Sequence, residues 1–469
     1  MPTGLSSSIE YLYLQNNAIT SMDLSVATNL KLLVASDNRL QAMPTGISST
    51  ILDLWIEDNP LKSVDITRLT DLSSLDVSNT EISSLDVSAA TTLSILRASS
   101  NKLTSAPKGL TSGLRELQLA SNFLTSLDAS GLTSLTELRL GDHSLTSLSI
   151  KNLTQLTYLG IGSMQLTNLT IENAPQLDYV SWPSTIENLV LKDVTTEDFE
   201  MALSNKNMKS VTMENVYGLY QIDLGNNHLT TLNLNNVRDV VWLYANSNRL
   251  SSMTIVSMPR LRYLYVDNNR LKKLDLTNLD QLVTLSANAN LLSSIDVSGL
   301  AELDELDVSN NKLKKLDVSK NAKLDGLFAA RNRLTSINVA NNPTLGYLNV
   351  SRNRIRKLNL SKNIELATLD ASGNLLKRLV LKENTSLENL FVNRNKLKSL
   401  NLSSVKVLEQ LNVNDNDLSS LNVSSLRNLN SLFANDNNLR SLNLKQNRFL
   451  SRVAVANNPL SKLTFIARG

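Results

Sequence analysis

Cysteine is absent from the 469-residue sequence, and histidine occurs only at His143 and His228. Without cysteine the chain has no disulfide, thiolate nucleophile or zinc–thiolate site. The glycine motifs that cradle phosphate and the HExxH pair of zinc peptidases are also absent. We therefore predict no catalytic site, no cofactor and no metal site.

Long apolar runs are absent too. No run approaches the roughly 18 apolar residues that a membrane-spanning helix needs, so we predict no membrane insertion within this fragment. No charged-then-apolar secretory signal opens the chain. Because no nucleic-acid-binding motif occurs either, we do not expect a nucleic-acid partner.

A 21-residue repeat is what the sequence has in abundance, and residues 261–281, LRYLYVDNNRLKKLDLTNLDQ, illustrate it. Counted from Leu261, apolar residues stand at offsets 0, +3, +5, +10, +13 and +15, and asparagine stands at +8. Fixed spacing of this kind predicts a solenoid in which each repeat forms one coil. The coils open at Ile9, Leu30, Ile51, Leu72, Leu93, Leu114, Leu135, Leu156 and Leu177, and again at Leu219, Val240, Leu261, Leu282, Leu303, Leu324, Leu345, Leu366, Leu387, Leu408, Leu429 and Leu450.

Each coil has two halves with similar patterns. Alternation from +2 to +6 predicts a short front strand with +3 and +5 inward and +2 and +4 outward, so stacked coils form a parallel front sheet. The back half, at +13 and +15, is strand-like or irregular, because Pro44 and Pro107 cannot donate to a strand ladder. Asparagine at +8 is expected to satisfy backbone groups where the chain leaves the front strand.

We predict a single domain over residues 1–469, with regular coils at 9–176 and 219–469 and an irregular zone at 177–218. In that zone the repeat phrase restarts at Ile186 and Met208, which we interpret as two half-coils that flank one full coil and as two strand openings of the front sheet, with a helical turn at 195–204. The front sheet then has about 23 strands. Both ends interrupt a repeat, so we expect the chain to be a fragment of a longer protein.

The phrase LxxLxLxxNxL covers essentially the whole chain and resembles the short, nested class of leucine-rich repeats. That resemblance implies a mainly β, curved, right-handed solenoid that recognises a protein, peptide or glycan on its concave face. MPTGLSSSIEYLYLQNN and MPTGISSTILDLWIEDN also resemble ectodomains of receptor-like kinases from oomycete-type protists. The implied role is an extracellular or cell-surface ligand sensor. The alternative is a cytoplasmic scaffold or regulator of a signalling enzyme, similar to leucine-rich phosphatase regulators.

Aromatic residues are few, but their placement is ordered. Of 20 aromatics, 13 stand at the outward offsets +2 and +4. Rings also favour strands for structural reasons, so ladder stacking is the alternative to ligand binding. The predicted ligand-binding residues are Tyr158, Tyr179, Gln221, Asp223, Trp242, Tyr244, Tyr263 and Tyr265.

Basic residues define a second candidate surface, called here the basic rim. Residues 1–250 hold 15 Lys and Arg against 25 Asp and Glu, whereas residues 251–469 hold 31 against 18. The rim could meet a phosphate, sulfate or acidic partner, and ordinary solubilising charge is the alternative. It comprises the residues at +7 and +9, namely Arg249, Arg270, Lys312, Arg331, Arg333, Arg352, Arg354, Arg394 and Lys396.

Seven Asn-x-Ser/Thr sequons permit glycosylation of an exported chain. They begin at Asn152, Asn168, Asn349, Asn359, Asn384, Asn401 and Asn422.

Overall fold

The computed structural model describes residues 6–196 and 200–465, which form a parallel β-solenoid of short strands. This confirms the predicted fold class. Within those ranges the chain forms no helix, and hence none that could span a membrane. Two compact units are present. The first unit comprises residues 1–219 and 234–237, and the second unit comprises residues 220–233 and 238–469.

Thirty strands occur in the described part of the chain and are numbered in chain order. The first fourteen, β1 to β14, are Tyr11–Tyr13, Leu32–Val34, Asp53–Trp55, Ser74–Asp76, Ile95–Arg97, Glu116–Gln118, Glu137–Arg139, Ser147–Lys151, Tyr158–Gly160, Asn168–Ala174, Tyr179–Ser181, Asn188–Thr195, Glu200–Ala202 and Ser210–Tyr217. The remaining sixteen, β15 to β30, are Gln221–Asp223, Thr231–Asn235, Trp242–Tyr244, Ser252–Val256, Tyr263–Tyr265, Thr284–Ser286, Glu305–Asp307, Gly326–Phe328, Tyr347–Asn349, Thr368–Asp370, Asn389–Phe391, Gln410–Asn412, Ser431–Phe433, Ser441–Asn443, Arg452–Ala454 and Lys462–Thr464.

The front sheet of the first unit has nine strands in the order β1 to β7, β9 and β11. Paired residues are separated by exactly one sequence repeat, as in Leu75↔Leu96 and Leu96↔Leu117. These central +3 leucines are fully buried, whereas their flanking +2 and +4 residues are mostly partly exposed. The predicted inward and outward offsets are therefore confirmed.

The zone at 177–218 differs from the prediction. Residues after Ile186 and Met208 form the back strands β12 and β14, which continue the parallel pairing that begins with β8 and β10. The front keeps the regular repeat spacing, because Val180, Met201 and Ile222 are the centres of β11, β13 and β15. The predicted arrangement of two half-coils flanking one full coil, with front strands opening at Ile186 and Met208, is thus wrong.

A slip on the back explains the irregular spacing. Leu169 pairs with Leu189, which falls a single position short of a full repeat, and Leu189 pairs with Val211, which falls a single position beyond one. The expected helical turn is wrong where it can be checked, because Thr195 and Glu200–Ala202 are strand residues. Residues 197–199 lie outside the described residues. By offset, 22 described strands occupy front positions, close to the predicted count of 23.

In the second unit, β15, β17, β19 to β27 and β29 form the front sheet, again in parallel. Leu264, Leu285 and Leu306 continue the buried +3 row. The back pairs β28 with β30, and from 257 to 440 the described back half consists of turns and bends. The back of the second unit is therefore irregular from 257 to 440 and strand-like at β18, β28 and β30, which fits the predicted strand-like or irregular back.

The asparagine at +8 joins successive coils, as predicted. Asn269 Nδ2 donates to the carbonyls of Ala245 (2.9 Å), Val266 (3.0 Å) and Asp267 (3.1 Å), and its Oδ1 accepts from the Leu250 amide (3.0 Å). One buried side chain thus replaces four contacts with water that the turn would otherwise need. The same pattern recurs along both units.

Two residues that replace asparagine at +8, Thr80 and His143, differ in whether they form hydrogen bonds. Thr80 still donates, to the carbonyl of Val77 (3.0 Å) and to Asn101 Oδ1 (2.6 Å). His143 is 5% exposed, and neither ring nitrogen makes a well-formed hydrogen bond with the described residues. Burial lowers the His143 pKa, so the ring is held neutral. The structure thus places His143 in the turn position, as predicted.

A second asparagine ladder, at +18 on the back, escaped prediction. Asn342 Nδ2 donates to the carbonyls of Val318 (3.0 Å) and Asn321 (2.7 Å). Its Oδ1 is buried and has no hydrogen-bond partner among the described residues. The sequence signal was available, since asparagine recurs there at whole multiples of the repeat. The members are Asn321, Asn342, Asn363, Asn384 and Asn447.

Candidate ligand-binding surfaces

Four rings form a two-by-two aromatic block on β17 and β19 of the second unit. The strand register places Trp242 opposite Tyr263 and Tyr244 opposite Tyr265. Trp242 stacks on Tyr263 with centroids 3.6 Å apart and planes 9° apart, and Tyr244 stacks on Tyr265 at 5.0 Å and 6°. All four side chains are partly exposed. Stacking holds each ring against its neighbour, and each side chain keeps part of its surface in contact with solvent.

Polar side chains border the block on both sides. Gln221 and Asp223 pair with Trp242 and Tyr244, as the shared offsets predicted. Asp223 Oδ1 accepts from the Gly225 amide at 2.9 Å. On the opposite side, Thr284 and Ser286 pair with Tyr263 and Tyr265 and were not among the predicted site residues. Continuing the +2 and +4 offsets by one coil would have identified both.

Burial tunes the ionisable groups beside the block. It raises the pKa of the Tyr265 hydroxyl, with a further contribution from Tyr244, so this group remains a hydrogen-bond donor at neutral pH. Burial also raises the pKa values of Glu305 and Asp307 on a strand beyond the block. The surface therefore combines apolar rings, neutral donors and carboxylates that are costly to ionise.

Tyr158 and Tyr179 belong to the first unit and form a separate pair, stacked at 5.0 Å and 16°. The Arg139 guanidinium carbon lies 4.4 Å from the centre of the Tyr158 ring, and Nη1 is 3.4 Å from the hydroxyl. Arg139 also pairs with Glu137. Internal contacts thus occupy part of this pair, which favours the structural alternative for these two tyrosines.

The same face of the first unit carries a ladder of internal charge pairs. Arg97 forms a bidentate pair with Glu116, with Nε to Oε1 at 2.6 Å and Nη2 to Oε2 at 3.1 Å. Gln118 Nε2 donates to Glu116 (2.7 Å) and to Glu137 (3.3 Å). Hydrogen bonding to Glu116 raises the Arg97 pKa. Over β5 to β7, the charged side chains of this face therefore pair with one another.

The basic rim has the opposite character. All nine of its side chains are exposed, and among the described residues the only ion pair of the rim joins Arg394 to Asp415 at 3.6 Å. Arg331, Arg352 and Arg394 occupy the left-handed region, with φ of 52°, 53° and 55°. A bulky residue is uncommon there, and asparagine or glycine is more stable. The rim thus retains unpaired cations at a conformational cost.

Six of the seven sequon asparagines are exposed or partly exposed, but Asn384 is 1% exposed. Its Nδ2 donates to the carbonyls of Leu360 (3.1 Å) and Asn363 (2.8 Å). Because this amide nitrogen is used inside the core, the folded chain cannot be glycosylated at Asn384.

No family model matches the sequence, and no curated protein matches it. Solved structures are similar in fold. InlJ from Listeria monocytogenes is 21% identical over 91% of this chain and 74% of its own, with a TM-score of 0.40. YopM from Yersinia enterocolitica is 24% identical over 97% and 84%, with a TM-score of 0.39. The plant peptide hormone receptor RGFR1, solved with RGF2, is 22% identical over 97% and 79%, with a TM-score of 0.47.

At sequence identities this low, the likeness to these solved structures concerns the fold alone. The repeated phrase, the buried +3 leucines and the asparagine ladder at the strand ends are present in the chain itself. These features together show that the chain has the leucine-rich-repeat solenoid fold.

Proposed function

We propose that the protein is a non-enzymatic recognition module that binds a protein, peptide or glycan ligand through the aromatic block on the front face of the second unit. The stacked, partly exposed arrangement of Trp242, Tyr244, Tyr263 and Tyr265 carries this proposal. Tyrosine and tryptophan dominate binding energy because they bury large areas at low entropic cost. Rings already fixed by stacking lose little further freedom when a ligand binds.

The neighbouring groups provide specificity. Trp242 and Tyr263 cover one face of each other, so a ligand meets their edges and remaining faces. The hydroxyl of Thr284 and the polar ends of the tyrosines can donate to and accept from a backbone or a sugar, whereas Ser286, which donates to Asp267 Oδ1 at 2.5 Å, is left with an acceptor oxygen. Such a mixed surface suits a ligand that is both apolar and rich in hydrogen-bonding groups.

The test begins with a glycan array and a peptide library that identify a ligand of the intact chain. Calorimetry then compares Trp242→Ala/Tyr265→Ala with the unsubstituted protein. Loss of about 2 kcal/mol or more, roughly 30-fold in Kd, is expected if these rings are anchors. The matched control is Phe391→Ala/Phe433→Ala, which removes two partly exposed +4 rings outside the block in the same unit.

Circular dichroism of both double variants establishes that the fold is retained. An unchanged affinity in Trp242→Ala/Tyr265→Ala would contradict the proposal and make the basic rim the next candidate surface.

We also propose that this recognition occurs outside the cell or at its surface, as the sensing part of a receptor-like kinase or as a secreted protein. Six accessible sequon asparagines support that location. The chain is expressed through the secretory pathway of eukaryotic cells, and glycopeptides are mapped by mass spectrometry. Occupancy at accessible sequons and none at Asn384 is expected. Unmodified sites, with capture of a cytosolic signalling enzyme, would instead favour the intracellular scaffold.

A further inference from the structure

An open groove with a volume of about 1090 Å³ lies on the second unit, at positions distinct from those of the aromatic block. It is lined by residues between Ile337 and Lys396, which belong to four successive coils. Most of these residues stand at offsets +9 to +17, on the back half of the coil. The groove therefore does not depend on the front-face site proposed above.

Cations dominate the lining of the groove. Arg356 and Lys357 stand at +11 and +12 of one coil, and Lys377 and Arg378 stand at the same offsets of the next. Adjacent coils place these two rows about 4.8 Å apart, so four positive charges form a compact block. All four side chains are exposed. Lys382 adds a further cation.

Carboxylates do not balance this charge. Among the described residues, Glu383 is the single carboxylate lining the groove, and it pairs with Lys382 at 3.5 Å. No described carboxylate lies within 4.0 Å of the charged nitrogens of the four cations at +11 and +12. Neighbouring like charges repel, so an anionic ligand gains both from attraction and from relief of this repulsion.

Apolar side chains supply the remaining part of the lining. Ile337 and Leu358 are largely buried, Leu375 is partly exposed, and Val380 is 51% exposed. A purely hydrophilic polyanion would leave this apolar surface in water. A ligand that carries both carboxylates and apolar groups would cover this surface and gain from its removal from water.

We propose that the groove binds an extended acidic peptide segment in which carboxylate and apolar side chains alternate. In an extended chain successive side chains point to opposite sides, so carboxylates can face the cations at +11 and +12 while apolar groups face Val380 and Leu358. Arginine forks bind carboxylates bidentately, and long lysine stems adapt to the spacing of the charges. The partner is therefore a protein that presents such a segment, on a surface that the aromatic block does not use.

The test uses fluorescence anisotropy with three probes on the intact chain. They are a fluorescein-labelled (Asp-Leu)4 peptide, the equally charged (Asp-Ser)4 peptide and a labelled heparin octasaccharide. The (Asp-Leu)4 peptide is expected to bind at least about fivefold more tightly than (Asp-Ser)4, because only the former covers the apolar lining. Equal affinity of the two peptides, or tighter binding of heparin, would overturn the proposal in favour of a general polyanion surface.

Charge reversal locates the site. Lys357→Glu/Lys377→Glu is expected to weaken (Asp-Leu)4 binding by about tenfold or more. The matched control is Lys272→Glu/Lys273→Glu, which reverses two exposed lysines at the same offsets of a coil outside the groove. An equal loss of (Asp-Leu)4 affinity in both variants would mean that binding depends on the net charge of the protein and not on the groove. That result would overturn the proposal.

Two further variants separate the contributions. Val380→Ser should lower the affinity for (Asp-Leu)4 to that for (Asp-Ser)4, since Val380 is the most exposed apolar side chain in the lining. Trp242→Ala/Tyr265→Ala should leave (Asp-Leu)4 binding unchanged, so failure of the front-face proposal remains distinguishable from failure of the groove proposal.

Analytical ultracentrifugation tests whether the groove instead binds a second copy of this chain. If the protein forms a dimer and Lys357→Glu/Lys377→Glu abolishes that dimer, the occupant of the groove is a second copy of this chain. That result would overturn the proposal of an acidic peptide ligand.

Discussion

The front surfaces of the two units use the same offsets and differ in how their side chains are partnered. In the first unit, Arg97 bridges Glu116 and Asp76, so charges on adjacent strands neutralise each other. In the second unit, the corresponding +2 and +4 positions hold the aromatic block, and the rim beside it carries cations almost without anionic partners. The scaffold determines which side chains face outward, and the outward residues determine whether a face is satisfied internally or available to a ligand.

The largest expected effect tests whether the units share one kind of core. Leu96→Ala in the first unit and Leu327→Ala in the second each remove a fully buried +3 side chain. Each should lower the free energy of unfolding by roughly 2 to 5 kcal/mol through lost burial and the remaining cavity. Urea denaturation monitored by circular dichroism measures both. A large loss in one variant and none in the other would show that the two cores are not equivalent.

A smaller effect concerns the strained rim. Arg352 has a φ of 53°, whereas its counterpart Asn79 in the first unit is a residue type that tolerates this conformation. Arg352→Asn should therefore raise the free energy of unfolding by about 1 kcal/mol, since left-handed geometry costs most side chains that much. Thermal denaturation gives the sign of the change in stability, and Asn268→Gly, at the same offset in the second unit with a φ of 53°, is the control with little expected change. Destabilisation by Arg352→Asn would mean that Arg352 contributes more to folding than its backbone costs.

The smallest effect compares two buried carboxylates at +4. Burial raises the pKa values of both Asp76 and Asp307, and each accepts a hydrogen bond from a backbone amide nearby in its own coil. A carboxyl whose pKa is raised on folding favours the folded state while it is protonated, and this contribution is lost as pH rises through the folded pKa. Asp307→Asn should therefore stabilise the protein at pH 7 and lose its advantage in acid.

Arg97 distinguishes the two positions. Its guanidinium lowers the pKa of Asp76 and partly offsets the burial, whereas Asp267 near Asp307 raises the pKa further. Asp76→Asn should thus stabilise less than Asp307→Asn at pH 7. Unfolding curves from pH 3 to pH 8 measure the difference, and identical pH profiles would refute the role assigned to Arg97.

Much of this arrangement could be predicted from the sequence, because period-2 alternation at a fixed repeat determines the inward side of every strand. Leu264 and Leu306 are buried for that reason, and Trp242 and Tyr263 share a face. The role of Asn269 also followed from amide chemistry at a turn. These inferences needed only local pattern and the stacking of equal coils.

The zone at 177–218 was misinterpreted because both halves of a coil have the same apolar spacing. The phrase after Ile186 fits a front or a back strand equally well, and only the pairing of Leu189 with Leu169 identifies the back. The partners of Tyr158 could not be predicted either. Arg139 belongs to the preceding coil and reaches the Tyr158 ring only through the geometry of two neighbouring strands.

The compensating slip on the back of the first unit bears on how such a chain can diversify. A back step shorter than the repeat is followed by an equally longer one, and the front centres Val180, Met201 and Ile222 stay evenly spaced. A shift of one residue is therefore absorbed by the two connections that flank the single back strand β12, and it does not reverse the outward residues of the following coils. Gene duplication of whole repeats, or grafting of a back loop by design, would leave the outward residues of the front face in place.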